Sequence, residues 1–112
     1  MTAKLVAALS LVATLGCSAN AFAAGSVEAG QAKSATCMAC HGMDGNSLSP
    51  EWPNLASQHP AYIERQIKAF KSGERQNDLM SPMAMIVTDE DAADLAAYFS
   101  SQKSKLGDLS KH

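Results

Sequence analysis

The chain has 112 residues and a formal charge of −2 at pH 7, from 9 Lys and Arg against 11 Asp and Glu. That length suits one domain, and without a basic excess the chain offers nucleic acid no electrostatic footprint. Charged residues make up 18% and apolar residues 46%, a balance that argues against disorder from charge, although Ala and the first 23 residues swell the apolar share.

Lys4 gives a positive start, and Leu5–Leu15 is apolar except for Ser10 and Thr14. Ala21-Phe22-Ala23 then supplies a small-x-small cleavage pattern. Residues 1–23 read as a secretory signal peptide, and the apolar run is too short for a stable span of a bilayer roughly 30 Å thick. The alternatives are an uncleaved anchor, or a lipoprotein signal at Cys17, where Thr14 stands in place of the usual Leu. Cleavage leaves residues 24–112 as one domain, with a net charge of about −3 once Lys4 is lost. Of the cysteines, the mature chain keeps Cys37 and Cys40, and a bridge between them would close only a tiny loop.

Val27–Thr36 is a helical candidate with Glu28 in its first turn. Gly30 inside it suggests close approach by another element. Gly42–Ser57 is turn-rich, with Asp44-Gly45-Asn46-Ser47, Pro50 and Pro53. Pro60 fits the first turn of a helix running to about Lys71, with Ile63, Ile67 and Phe70 on one face and Gly73 as its C-terminal cap. Arg75–Val87 reads as a loop holding Met80, Met83, Met85 and Pro82. Thr88 caps a last helix whose first turn is acidic and whose face is Ala92, Leu95, Ala96 and Phe99. Residues from about 103 are expected to fray. No segment alternates convincingly as a strand does, and no internal repeat or linker between domains is visible.

The apolar inventory is thin. The mature chain keeps Trp52, Tyr62, Phe70, Tyr98 and Phe99 as its aromatics, with few large aliphatics beside them. A domain this small buries about 60–65% of its unfolded surface and usually needs a staple. A porphyrin would serve.

Cys37-Met38-Ala39-Cys40-His41 supplies the means to hold one. Two thiols spaced by two residues and followed by His fit covalent attachment of c-type haem. Each thiol adds to one vinyl group, and His41 is carried beneath the iron as proximal ligand. A thioredoxin-like dithiol would want a βαβ context. A structural zinc site would need four ligands, and Cys37, Cys40, His41 and His59 are the candidates the mature chain offers. For the sixth position Met80, Met83 and Met85 are candidates, since Met38 and Met43 flank the turn on the His41 side. Soft filling around the ring is the other use for these methionines.

From about Ala24 to Gln102 the chain resembles class I c-type cytochromes, above all the monohaem cytochrome c-553 group and one half of a dihaem cytochrome c4. The matching stretches are Gly30-Gln31-Ala32-Lys33, Cys37–Gly42, Asp44-Gly45-Asn46-Ser47 and Trp52-Pro53-Asn54-Leu55-Ala56. Further on, Tyr62, Phe70–Arg75, Thr88-Asp89-Glu90-Asp91 and Leu95–Phe99 match as well. The resemblance implies an all-α fold, with helices wrapped around one covalent haem and the first and last crossing at Gly30 against Tyr98 or Phe99. It implies haem attachment at Cys37 and Cys40, His41 as proximal ligand and Met80 as the sixth ligand, eight residues before Thr88. It also implies that the Pro53 carbonyl accepts from His41. Trp52, Gln58, Tyr62 and Arg75 are candidates to line the ring or meet its propionates. His59 reads as a surface residue.

The implied function is a periplasmic one-electron carrier, its iron cycling between ferric and ferrous. Its partners would be redox proteins met in brief contacts, and the chain itself a monomer or weak dimer. Lys68 and Lys71 would offer a local basic patch on an otherwise acidic surface. The alternatives are a cytochrome subunit of a flavoprotein such as a sulfide dehydrogenase, and an open-site haem sensor or peroxidatic protein.

Overall fold

A computed structural model describes residues 24–106; the signal pattern of residues 1–23, with its cleavage site, and residues 107–112 lie outside it. The regular elements among the described residues are all helical: α1 (Val27–Lys33), α2 (Ala35–His41), α3 (Pro60–Ser72), α4 (Met80–Met85) and α5 (Asp89–Ser101). None is long and apolar enough to cross a membrane.

The helix expected over Val27–Thr36 is divided at Ser34. This side chain is fully buried, and its hydroxyl donates to the Gln31 carbonyl at 2.7 Å. A serine that bonds back onto its own turn competes with helix continuation. Its carbonyl accepts from the N–H groups of Cys37 and Met38, both at 2.9 Å, and so starts α2.

The loop expected over Arg75–Val87 contains α4. Asn77 Oδ1 accepts from the N–H groups of Leu79 at 3.0 Å and Met80 at 2.9 Å. The Asn77 N–H in turn donates to Ser81 Oγ at 3.0 Å. These bonds satisfy donors that a helix start leaves orphaned. Pro82 falls in the first turn, where its missing N–H costs nothing. α3 ends as expected at Gly73, which has φ 79°. α5 begins at Thr88, which forms a reciprocal capping box with Asp91.

The core gathers Ile63 of α3 with Leu95, Ala96, Tyr98 and Phe99 of α5, and Cys37, Met38, Leu55, Ile67 and Val87 pack against it. Tyr98 and Phe99 meet edge to face, with ring centroids 5.1 Å apart. α1 crosses α5 at Gly30. A Cβ there would lie 2.0 Å from the Asp94 carbonyl oxygen and 2.7 Å from Tyr98 Cβ. Tyr98 therefore takes the crossing, while Phe99 turns toward Gly45 in the following loop.

Polar bonds lock the same crossing. Asp94, only 6% exposed, accepts from the Ser26 N–H at 2.8 Å and from Lys33 Nζ at 2.6 Å. Lys33 also pairs with Asp91 at 2.8 Å. One carboxylate thus grips both ends of α1. Lys33 holds the Asp91 carboxyl down to about 2. Asp94 is likewise held below its ordinary value, first by Lys33 and then by the Ser26 N–H.

Depressed carboxyl values stabilise the fold above the ordinary Asp range near 3.9. That stability is lost as pH falls from there toward about 2, where Asp91 takes its proton. Lys33→Met is expected to lower the melting temperature at pH 7, with the gap from wild type closing by about pH 2. Melting curves across that range check it, and a gap constant with pH would remove the ion pairs from the account.

The segment after α5, expected to fray from about residue 103, is tied back as far as Lys105. Buried Asn46 donates from Nδ2 to the Lys103 carbonyl at 3.0 Å, and its Oδ1 accepts from the Lys105 N–H at 2.8 Å. Ser57 Oγ bonds the Gln102 carbonyl at 2.7 Å and the Ser104 N–H at 3.0 Å. Sequence periodicity carries no trace of such side-chain clamps.

Candidate haem-binding site

The attachment turn is α2 itself. Cys37 and Cys40 are spaced i to i+3, so their side chains leave one side of the helix. His41 closes the helix, and Gly42, at φ 84°, turns the chain sharply out of it. A Cβ at Gly42 would stand 2.2 Å from the Asn46 carbonyl oxygen, so the turn requires glycine twice over.

Both thiols are half-buried and not bonded to each other. Burial pushes the Cys37 thiol above its ordinary value and keeps it protonated. His41 is 6% exposed, and its Nδ1 lies 2.8 Å from the Pro53 carbonyl oxygen. A carbonyl only accepts, so Nδ1 carries a proton, and in the neutral imidazole Nε2 is the nitrogen with the lone pair. This is the outer partner that a metal-binding histidine needs to fix its tautomer.

The loop between α2 and α3 delivers that carbonyl. The N–H groups of Leu55 and Ala56 bond the Gly45 carbonyl at 2.8 and 3.1 Å. Asn54 Oδ1 accepts from the Ser47 N–H at 2.6 Å. Tyr98 donates its hydroxyl to the Met43 carbonyl at 2.9 Å, joining α5 to the exit of the attachment turn. None of these braces was singled out in the sequence. The Asn77-x-x-Met80 spacing was readable there as a side-chain cap.

Among the described residues no three His, Cys, Asp or Glu side chains are grouped to hold a metal ion. Cys37, Cys40 and His41 therefore do not converge on one ion. They suit a ligand that takes two thiols at its rim and an imidazole at its centre. Apolar surface is to hand: Leu79, Met85 and Ile86 on and beside α4 are 62–66% exposed. An open cleft of about 570 Å³ lies between the end of α3 and α4, lined by Phe70, Lys71, Asn77, Ser81, Pro82 and Met85. Neither thiol nor His41 borders it.

Met80 is half-buried, whereas Met83 and Met85 are exposed. Of the propionate candidates, Arg75 lies over the Phe70 ring, 4.6 Å from its centroid, and donates to Gln66 at 2.7 Å. Tyr62 is 41% exposed beneath Arg65. Gln58 bonds the neighbouring His59 N–H, and Trp52 is half-buried. His59 is exposed, at the N-cap of α3. The expected basic patch is engaged within the fold: Lys68 pairs with Glu64, and Lys71 donates to the Val87 carbonyl.

The cytochrome c family model matches residues 27–103. The chain belongs to the cytochrome c family. The group it carries is haem c, covalently attached, and Cys37, Cys40 and His41 fit the family's attachment motif. It is 48% identical over 99 residues to cytochrome c4 of Pseudomonas aeruginosa, covering 88% of this chain and 49% of that protein. It is 51% identical over 83 residues to cytochrome c-554(548) of Halomonas halodenitrificans, covering 71% of this chain and 100% of that protein. The crystal structure of reduced recombinant cytochrome c4 from Pseudomonas stutzeri superposes with a TM-score of 0.70 at 44% identity, over 73% of this chain and 48% of that one. The chain thus spans about half the length of the cytochrome c4 relatives and the whole of cytochrome c-554(548).

Proposed function

We propose that the protein is a periplasmic one-electron carrier, with haem attached at Cys37 and Cys40 and held axially by His41 and Met80. The observation that carries this reading is the His41–Pro53 bond, which leaves Nε2 able to bind iron. The haem supplies a one-electron couple. The residues of the chain do the rest. Cys37 and Cys40, both free and half-buried, would hold the haem through thioether bonds. His41 binds from one side in a fixed orientation. Asn77 and Ser81 fix the backbone at Met80 on the other. With His41 and Met80 both as ligands, small molecules would be kept off the iron and little would have to rearrange when an electron passes.

Its partners are redox proteins met transiently, and the signal pattern over residues 1–23 sends the chain out of the cytoplasm. The half-buried placement of Met80, against exposed Met83 and Met85, supports Met80 as sixth ligand.

Absorption spectra of the full chain, made with haem-attachment machinery, test the reading. The ferric protein is expected to show the weak far-red band of methionine ligation, lost in Met80→Ala and kept in Met83→Ala. A wild-type protein without that band, binding carbon monoxide readily when reduced, would overturn the carrier reading in favour of an open site.

A further inference from the structure

We propose that Asn54 is a positioning residue for the His41 imidazole: by holding the Ser47 N–H, it fixes the direction of the Pro53 carbonyl that orients the ring. The inference rests on His41 as axial ligand. Proline has no N–H, so Pro53 cannot anchor its own carbonyl. On the preceding side, the Trp52 N–H reaches the Ser49 carbonyl only at 3.3 Å. On the following side, the Pro53 carbonyl and the Asn54 Cα share one rigid peptide plane. Pinning Asn54 therefore sets where that carbonyl points.

The pin is short, 2.6 Å from Ser47 N to Asn54 Oδ1. Ser47 also sits against the attachment turn, its Oγ 3.5 Å from the Cys40 carbonyl oxygen. The ring's own helix and the acceptor of its N–H are thus referred to the same residue. The N–H···O=C bond raises the donor strength of the imidazole. A stronger donor favours the ferric iron, so loosening the carbonyl shifts the couple toward ferrous.

The experiment compares wild type, Asn54→Leu and Asn54→Asp as haem-loaded proteins. Two readouts are taken: hydrogen exchange of the His41 Nδ1 proton by NMR in the reduced state, and the ferric-to-ferrous ratio at fixed ambient potential. Asn54→Leu is expected to speed exchange about tenfold or more and to move the ratio toward ferrous by about three- to tenfold, with tenfold equal to 59 mV for one electron. Asn54→Asp keeps the acceptor and is expected to restore slow exchange.

Where Asn54→Leu does not accumulate, Asn54→Gln, with its acceptor one methylene out of place, is expected to show the same changes in smaller measure. Wild-type exchange and ratio in Asn54→Leu or Asn54→Gln, with only a lowered melting temperature, would overturn the proposal. So would equally fast exchange in the Leu and Asp variants. A wild-type protein with no slowly exchanging Nδ1 proton would instead sink the reading of His41 itself.

Discussion

Gly30→Ala is expected to destabilise the protein by about 3 kcal/mol or more. The added Cβ would lie 2.0 Å from the Asp94 carbonyl oxygen, a backbone atom that yields only if α5 moves. Moving α5 breaks the bonds from Asp94 to Ser26 and Lys33 together. Against a net stability of about 5–15 kcal/mol, that loss is severe. Gly73→Ala is the control. Its φ of 79° strains any side chain, but nothing lies within 4 Å of the added Cβ, so its cost is about 1–2 kcal/mol. Denaturant unfolding followed by circular dichroism compares the two, and equal losses would mean that backbone conformation rather than contact sets the cost at Gly30.

The second large effect concerns the cofactor's part in folding. Cys37→Ser with Cys40→Ser is expected to abolish covalent haem and most of the native helical signal. The polypeptide's own core is small: of its buried apolar side chains Ala56, Ala84, Ala92 and Ala96 contribute little area, and among the described residues Phe99 is the one large apolar side chain that is fully buried. Leu79, Met85 and Ile86 add little while most of their surface faces water. Domains of this size are marginal without a staple. Circular dichroism of the double variant checks this, and a cooperative thermal transition near that of wild type would show that the polypeptide folds on its own contacts.

The parts of the fold readable in the sequence are those written in backbone chemistry. Pro60 and Gly73 bound α3 because one lacks an N–H and the other tolerates positive φ. Thr88 and Asp91 announce α5 through a reciprocal cap. Cys37, Cys40 and His41 announce the cofactor because their spacing fits few other tasks. Gly30 signalled a close approach, although whether Tyr98 or Phe99 filled it depended on rotation of α5 about its axis.

The parts that went unread depend on which partner a polar side chain takes, within its own turn or across the chain. Ser34 breaks a helix that periodicity continues, by bonding its own preceding turn. Asn77 starts a helix where methionines and Pro82 suggested a loop. Asn46 holds residues 103 and 105 from the far end of the sequence. Asn54 acts on His41 at second hand, through a neighbour's carbonyl. Each is a polar residue in a turn, a position where sequence alone offers many equivalent uses.

The grip of Asp94 on α1 also sets a timetable. Ser26 and Asp94 are 68 residues apart, so α1 cannot seat until α5 has been made. At about 5–20 residues per second, that wait is roughly 3–14 s for each newly synthesised molecule. Throughout it, the Cys37–His41 turn lies on a chain whose two ends have not met.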